Sequence, residues 1–234
     1  MKELMLLKLF LKRCLGNCKH GIIVLAYALL YMGLFHYLEQ RDVPFYHIVH
    51  TALDDKIPFC EVFIIPYLFW FFYILLAVLY FIFREGDHRE YYRMVFHMIT
   101  GMTIFLVVSY VYPNMQQLRP TVFPRDNIFT YMVKELYSRD TPTNILPSIH
   151  VFNSLAIHIA ITTSEKLRDK KAIKIVSLII TTLIILSTMF LKQHSVIDVF
   201  LGMTMALLGY QLFYVAGVSK THAQRMETYP STRK

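Results

Sequence analysis

Residues 62–83, VFIIPYLFWFFYILLAVLYFIF, run for 22 positions without a charged side chain. A helix of about 20 such residues spans the hydrocarbon core of a bilayer, and a helix satisfies all its backbone polar groups within one segment. Five further apolar runs follow the rule more loosely, at 21–38, 94–112, 147–163, 172–191 and 196–217. The run at 147–163 is short for a span. In a 234-residue chain that is 56% hydrophobic, with a mean hydropathy of +0.44, the economical reading is one membrane domain. The expected fold class is all-α: a polytopic membrane protein with six transmembrane helices in one bundle.

The connecting stretches set the plan around that core. Residues 1–16 mix Leu and Phe with Lys2, Lys8, Lys12 and Arg13, the composition of an interfacial amphipathic helix or of a frayed basic terminus. No small-residue cleavage site follows, so this stretch is not read as a removed signal peptide. Segment 39–59 is polar but carries Phe45, Ile48, Val49, Ala52 and Leu53 at helical spacing, which predicts a short interfacial helix ended by Pro58. Residues 113–146 hold Pro113, Pro120, Pro124 and Pro142 and are expected as a polar external loop. The chain thus divides into residues 1–19, a six-helix core over 21–217 and a tail over 218–234.

Charge placement gives an orientation. Of the 24 Lys and Arg residues, 17 lie in 1–19, 84–93, 165–174 and 218–234, and seven in 39–61, 113–148 and 192–195. Lys and Arg concentrate on the cytoplasmic side, so both termini are expected there, with the alternate segments facing outward from the plasma membrane. The formal charge of +8 then speaks for anionic lipid at the membrane surface rather than for nucleic acid.

Three outward-facing stretches carry polar groups that hydrocarbon tolerates poorly. Leu191–Asp198 joins two apolar runs and sets His194 and Asp198 four residues apart, on one helix face. A polar side chain at bilayer depth costs about 2.5–3.5 kcal/mol on insertion scales, which marks such residues as functional candidates. Asp198 can fix the tautomer of His194 and leave its other ring nitrogen free to attack, while Lys192 adds positive charge. In Pro147-Ser148-Ile149-His150, proline suits a helix start, the free N–H groups of the first turn suit an anion, Ser148 adds a hydroxyl donor, and His150 can supply a proton. Just past the third span, Arg119 in Gln116-Gln117-Leu118-Arg119-Pro120 offers a planar fork for phosphate oxygens. Taken singly these are weak signals: a solvated arginine, an interfacial histidine, a snorkelling lysine and a structural His–Asp pair.

In this order and on one side, the stretches resemble the type-2 phosphatidic acid phosphatase superfamily, over about residues 60–217 in the six-helix plan. Arg119-Pro120, Pro147-Ser148-Ile149-His150 and His194-x3-Asp198 match its three motifs, and Ser187 falls on the serine of the third. Two family cations are absent, since Tyr112 stands at the first-motif lysine and Thr188 at the third-motif arginine. The Lys192-Gln193-His194 variant is similar to the branch that includes inositol phosphorylceramide synthases. The resemblance implies a lipid phosphatase in which His194 forms a phosphohistidine, Asp198 orients it, and His150 protonates the leaving oxygen. Arg119, Ser148 and Lys192 are implied as phosphate ligands, with no metal or cofactor. A phosphorylated lipid is the implied substrate, with membrane lipids as partners. Head-group transfer of the inositol phosphorylceramide or sphingomyelin synthase type is an alternative, as is a non-catalytic scaffold or lipid transporter with a decayed site.

The remaining clusters receive plainer readings. His47, His50, Asp54, Asp55 and Glu61 are expected as the wet face of the interfacial helix rather than as a metal site. His158 lies two turns deeper than His150 and is expected to pack. Trp70 and the tyrosines near span ends are expected as interface anchors. Cys14 and Cys18 are four apart and carry no expected redox role.

Overall fold

A computed structural model of the chain describes residues 19–84 and 88–216. The expected N-terminal interfacial helix, Cys14 and Cys18, and the 218–234 tail lie outside these residues. Among the described residues, five helices are long and apolar enough to cross a bilayer, which fits an integral membrane protein. They are α1 (Gly21–Gln40), α2 (Ile64–Phe83, entered through a 3-10 turn at Glu61–Phe63), α3 (Arg89–Val111), α6 (Lys171–Phe190) and α7 (Val196–Tyr210). The last continues as a π-helical turn over Gln211–Ala216.

The run expected as a sixth span forms α5 (Ile149–Thr163), which has 15 residues. At 1.5 Å per residue it measures about 22 Å, short of a hydrocarbon core of about 30 Å. It is also among the most enclosed helices. Val151, Phe152, Ala156, Ile157 and Ala160 are buried, and the small residues let neighbouring helices come close. Gly101 of α3 is one such approach, since a Cβ there would lie 2.0 Å from the Phe152 ring. By contrast, Leu38 is the one buried residue of α1, and Ile22, Leu25, Leu29 and Met32 are exposed on a lipid-compatible surface.

Hydrogen bonds sort the connecting segments into two ends. At one, Tyr91 Oη donates to the His20 carbonyl at 2.8 Å and Glu165 N–H to Glu90 Oε1 at 2.9 Å. At the other, the 39–61, 113–148 and 192–195 segments interlock. Asn144 donates to Glu39 at 2.6 Å, Gln116 to the Lys192 carbonyl at 2.9 Å, and Ser195 to Asp54 at 2.6 Å. The lysine- and arginine-poor segments therefore share one end of the bundle.

Two expectations at that end are corrected. No interfacial helix forms over 45–53: His47–Ile48 is a short strand, β1, paired parallel with β2 (Asn114–Met115). His47 N–H donates to the Pro113 carbonyl at 2.9 Å and Val49 N–H to that of Met115 at 2.8 Å. Phe45, Ile48 and Leu53 stay exposed while Val49 is buried, so their helical spacing served no common face. Nor is the polar stretch 113–146 wholly a loop, because residues Ile128–Arg139 form helix α4. Asn127 caps it by accepting the Thr130 N–H at 3.0 Å, and Val133, Leu136 and Tyr137 pack against Ile64, Tyr67 and Leu191.

Candidate active site

The turn between α6 and α7 is built by capping. Lys192 sits at φ 53°, a left-handed conformation that ends α6, and the N–H groups of Gln193 and His194 both donate to the Thr188 carbonyl, at 2.9 and 3.1 Å. Ser195 and Asp198 then form a reciprocal capping box that starts α7. Its geometry aligns the catalytic pair expected from sequence. Asp198 Oδ2 accepts the Ser195 N–H at 2.9 Å and lies 3.3 Å from His194 Nδ1. Asp198 is fully buried and His194 nearly so. With Nδ1 donating to the carboxylate, Nε2 keeps its lone pair.

Helix α5 brings His150 to the same place. The imidazoles of His150 and His194 have centroids 5.7 Å apart and both line one cavity of about 290 Å³. Tyr67 and Trp70 lie against His150 at 4.7 and 4.4 Å, and its Nδ1 is buried without a hydrogen-bond partner among the described residues. Trp70 is thus a wall of the cavity rather than an interface anchor.

Ser148 caps α5, its Oγ accepting the Val151 N–H at 3.4 Å, and its own N–H goes to the Asp198 carbonyl at 3.1 Å. Gly202 allows that contact, since a Cβ there would lie 2.7 Å from the Ser148 carbonyl oxygen. The next two N–H groups, of Ile149 and His150, have no hydrogen-bond partner among the described residues. Both residues line the cavity. This helix start therefore presents open donors and its dipole to the space beside the two imidazoles.

The remaining expected phosphate ligands are placed differently. Arg119 donates to the carbonyls of Tyr137 and Asp140 at 3.3 and 2.8 Å and to Gln193 Oε1 at 2.6 Å, with its guanidinium 4.4 Å over the Tyr137 ring. Burial pushes its pKa down, against the pull of Asp140. Lys192 Nζ donates to the carbonyls of Asp54 and Ile57 at 2.7 and 2.5 Å; burial lowers its pKa while Asp54 and Asp55 oppose that. Neither cation is among the residues lining the cavity, nor is Ser148. The cavity wall instead holds Gln193, which passes Arg119 on to Asp140 through a 2.8 Å bond. Asp140 has its pKa raised by burial, with Arg119 opposing. Tyr112 stacks on His47 at 4.0 Å and Thr188 is buried, donating to the Ile185 carbonyl.

A family model described as the PAP2 superfamily matches residues 90–221, more than half of the chain. The chain belongs to the PAP2 superfamily. Membership brings phosphatase- or phosphotransferase-type chemistry, and the match encloses Arg119, Ser148, His150, Lys192, His194 and Asp198. No curated protein and no solved structure matches the chain.

Three residues at this candidate site escaped sequence reasoning. Tyr67 and Trp70 sit in a run so uniformly apolar that no face stands out. Asp54, 1% exposed, accepts from Ser195 Oγ at 2.6 Å and Val196 N–H at 2.8 Å, from 141 residues away in the case of Ser195. Burial raises its pKa, but the bonds from Ser195, Val196 and Thr51 outweigh that and hold it below the ordinary value. The other members of the supposed wet face have separate partners, His50 with Asp55 at 2.8 Å and Glu61 with Arg125 and Asn127 at 2.7 and 3.0 Å. His158 packs as expected, bonded to Ser177 at 2.8 Å.

Proposed function

We propose that this PAP2 protein is a metal-independent lipid phosphatase that hydrolyses a phosphomonoester or diphosphate of a membrane lipid through a phosphohistidine on His194. The observation that carries the reading is the pairing of His194 and His150 across one cavity, with Asp198 behind the first. His194 Nε2 attacks phosphorus and the bond to the leaving oxygen breaks, its electron pair staying on oxygen. Asp198 holds the Nδ1 proton and offsets the imidazolium charge. His150 gives a proton to the leaving oxygen, then takes one from the water that cleaves the N–P bond. The open N–H groups of Ile149 and His150 hold the phosphoryl oxygens. Arg119 acts on them from behind Gln193, and Lys192 holds the turn that carries His194. The site faces outward at the plasma membrane, with both termini cytoplasmic.

Head-group transfer, as in the inositol phosphorylceramide branch that the Lys-Gln-His motif suggests, is favoured by one observation. Among the described residues, the cavity wall contains no Lys or Arg, and Asp140 is the one carboxylate in it. A phosphodiester donor carries less charge than a phosphomonoester and suits such a wall better.

Purified protein supplied with phosphatidic acid, a lipid diphosphate and a phosphodiester lipid plus a lipid alcohol separates the readings. Free phosphate identifies the phosphatase, and a new phosphodiester identifies the transferase. Unchanged turnover in His194→Ala refutes the phosphohistidine mechanism, and the absence of both products leaves the scaffold or transporter.

A further inference from the structure

Residues 51–57 lie outside the stretch matched to the family, yet they grip the turn that carries His194. We infer that Asp54 is a positioning residue for phosphoryl transfer, locking Ser195 and the start of α7 so that His194 is held against Asp198 and at the cavity. The inference rests on His194 being the nucleophile.

Asp54 Oδ2 accepts Ser195 Oγ at 2.6 Å, and Oδ1 accepts the Val196 N–H at 2.8 Å. The carboxylate is itself fixed by Thr51, whose N–H and Oγ1 donate to Oδ2 at 2.7 and 3.1 Å. On the other side of His194, Lys192 Nζ clasps the carbonyls of Asp54 and Ile57. Positions 192, 195 and 196 are thus tied to one turn, with His194 between them. Ser195 N–H in turn meets Asp198 Oδ2, the oxygen that faces His194 Nδ1. Carboxylate 54 therefore sets Ser195, Ser195 sets carboxylate 198, and carboxylate 198 sets the imidazole. An outer hydrogen bond of this kind fixes ring orientation and tautomer.

The four groups aimed at Asp54 act as donors, and a carboxylate accepts from all of them. An amide cannot. In either flip its NH2 meets a backbone N–H, that of Thr51 or that of Val196. Charge is therefore part of the design, and the adjacent Asp55 supplies a control, since it bonds His50 at the surface.

The experiment compares full-length wild type, Asp54→Asn and Asp55→Asn on the lipid phosphate that turns over best. Asp54→Asn is expected to lower kcat about 10- to 100-fold, the usual effect of losing an orienting partner, with KM within about twofold and phosphohistidine accumulation slowed. Asp55→Asn is expected to match wild type. The double variant Asp54→Asn/Ser195→Ala is expected to lose little more than the worse single variant, because the two act as one unit. Wild-type kcat in Asp54→Asn, a change in KM alone, or multiplying penalties would overturn the role. If Asp54→Asn does not fold, Ser195→Ala and Lys192→Met take its place, and wild-type kcat in both overturns it equally. If wild type turns nothing over, the functional reading falls by itself, and orthovanadate affinity decides for Asp54. At least tenfold weaker binding in Asp54→Asn supports the role; equal binding, or none in either protein, ends it.

Discussion

Two helix starts meet at this cavity, and they are finished in opposite ways. The N-terminus of α7 is filled by the protein itself, with Val196 N–H on Asp54, Ile197 N–H on Ser195 Oγ and Ser195 N–H on Asp198. The N-terminus of α5 is capped by Ser148 at the Val151 N–H but leaves the N–H groups of Ile149 and His150 open. Both carry the same partial positive charge of a helix start. Satisfying one with an internal carboxylate makes it rigid and unavailable to a ligand. Leaving the other bare at a cavity makes it a place for an anion. Under the proposed mechanism the two divide labour, α7 aiming the nucleophile and α5 receiving the phosphoryl oxygens.

The sharpest test removes what the filled terminus exists to hold. His194→Ala is expected to reduce turnover of a lipid phosphate by at least about 10⁴-fold, comparable to losing a nucleophile elsewhere, measured as phosphate or phosphodiester product. Asp198→Asn should approach that loss, because the wrong tautomer then faces the substrate. The open terminus is tested by Ile149→Pro. Proline is accommodated at the first helical position and deletes one free N–H without ending the helix. The expected loss is about 10²- to 10³-fold in kcat, the size of one oxyanion donor. Equal kcat in Ile149→Pro and wild type would remove α5 from the phosphate site.

A third change presses the two termini apart. In Gly202→Ala, the new methyl group would meet the Ser148 carbonyl oxygen, which a Cβ there would approach to 2.7 Å. Something must shift, and overpacking of this kind costs about 1–3 kcal/mol, read as a lowered Tm in detergent. Turnover should fall as well, because the Ser148 N–H bond to the Asp198 carbonyl spans the two helix starts. A stable Gly202→Ala protein with full activity would show that the two termini need no fixed spacing.

The same contrast explains what the sequence could disclose. The five long helices were legible because a strongly apolar run of spanning length has few other solutions. His194 and Asp198 were legible because four residues on one helix bring them together, and Pro147 to His150 because a helix start announces itself locally. The short strand at His47–Ile48 was not, since Val49 and Ile48 share apolar character but different exposure, and the partner strand lies 67 positions on. Asp54 was unreadable for the same reason: nothing near residue 54 mentions Ser195. Arg119 and Lys192 were identified as cations but not by what they bind. Sequence reveals a donor's charge and not the carbonyls of Tyr137, Asp140, Asp54 and Ile57 that claim it first. Helix α4 hid among prolines because its apolar face is only a few residues wide.

The smallest expected effect separates the buried carboxylate of the filled terminus from the one in the cavity wall, and it appears only in acid. Asp54 has a folded pKa below its ordinary value, because the bonds from Ser195, Val196 and Thr51 outweigh burial. Its stabilising contribution is therefore complete above about pH 4, the unfolded value, and is lost as pH falls through the lowered folded value. Asp140 has the opposite sign. Burial raises its folded pKa despite Arg119, so its ionised form opposes folding and protonation relieves that as pH falls. Thermal melts at falling pH should then diverge. The deficit of Asp54→Asn relative to wild type narrows toward pH 3, whereas the advantage wild type gains over Asp140→Asn grows as Asp140 takes up its proton. Parallel curves for both variants would mean that the two carboxylates share one electrostatic environment, and the contrast between a closed helix start and an open cavity wall would lose its electrostatic half.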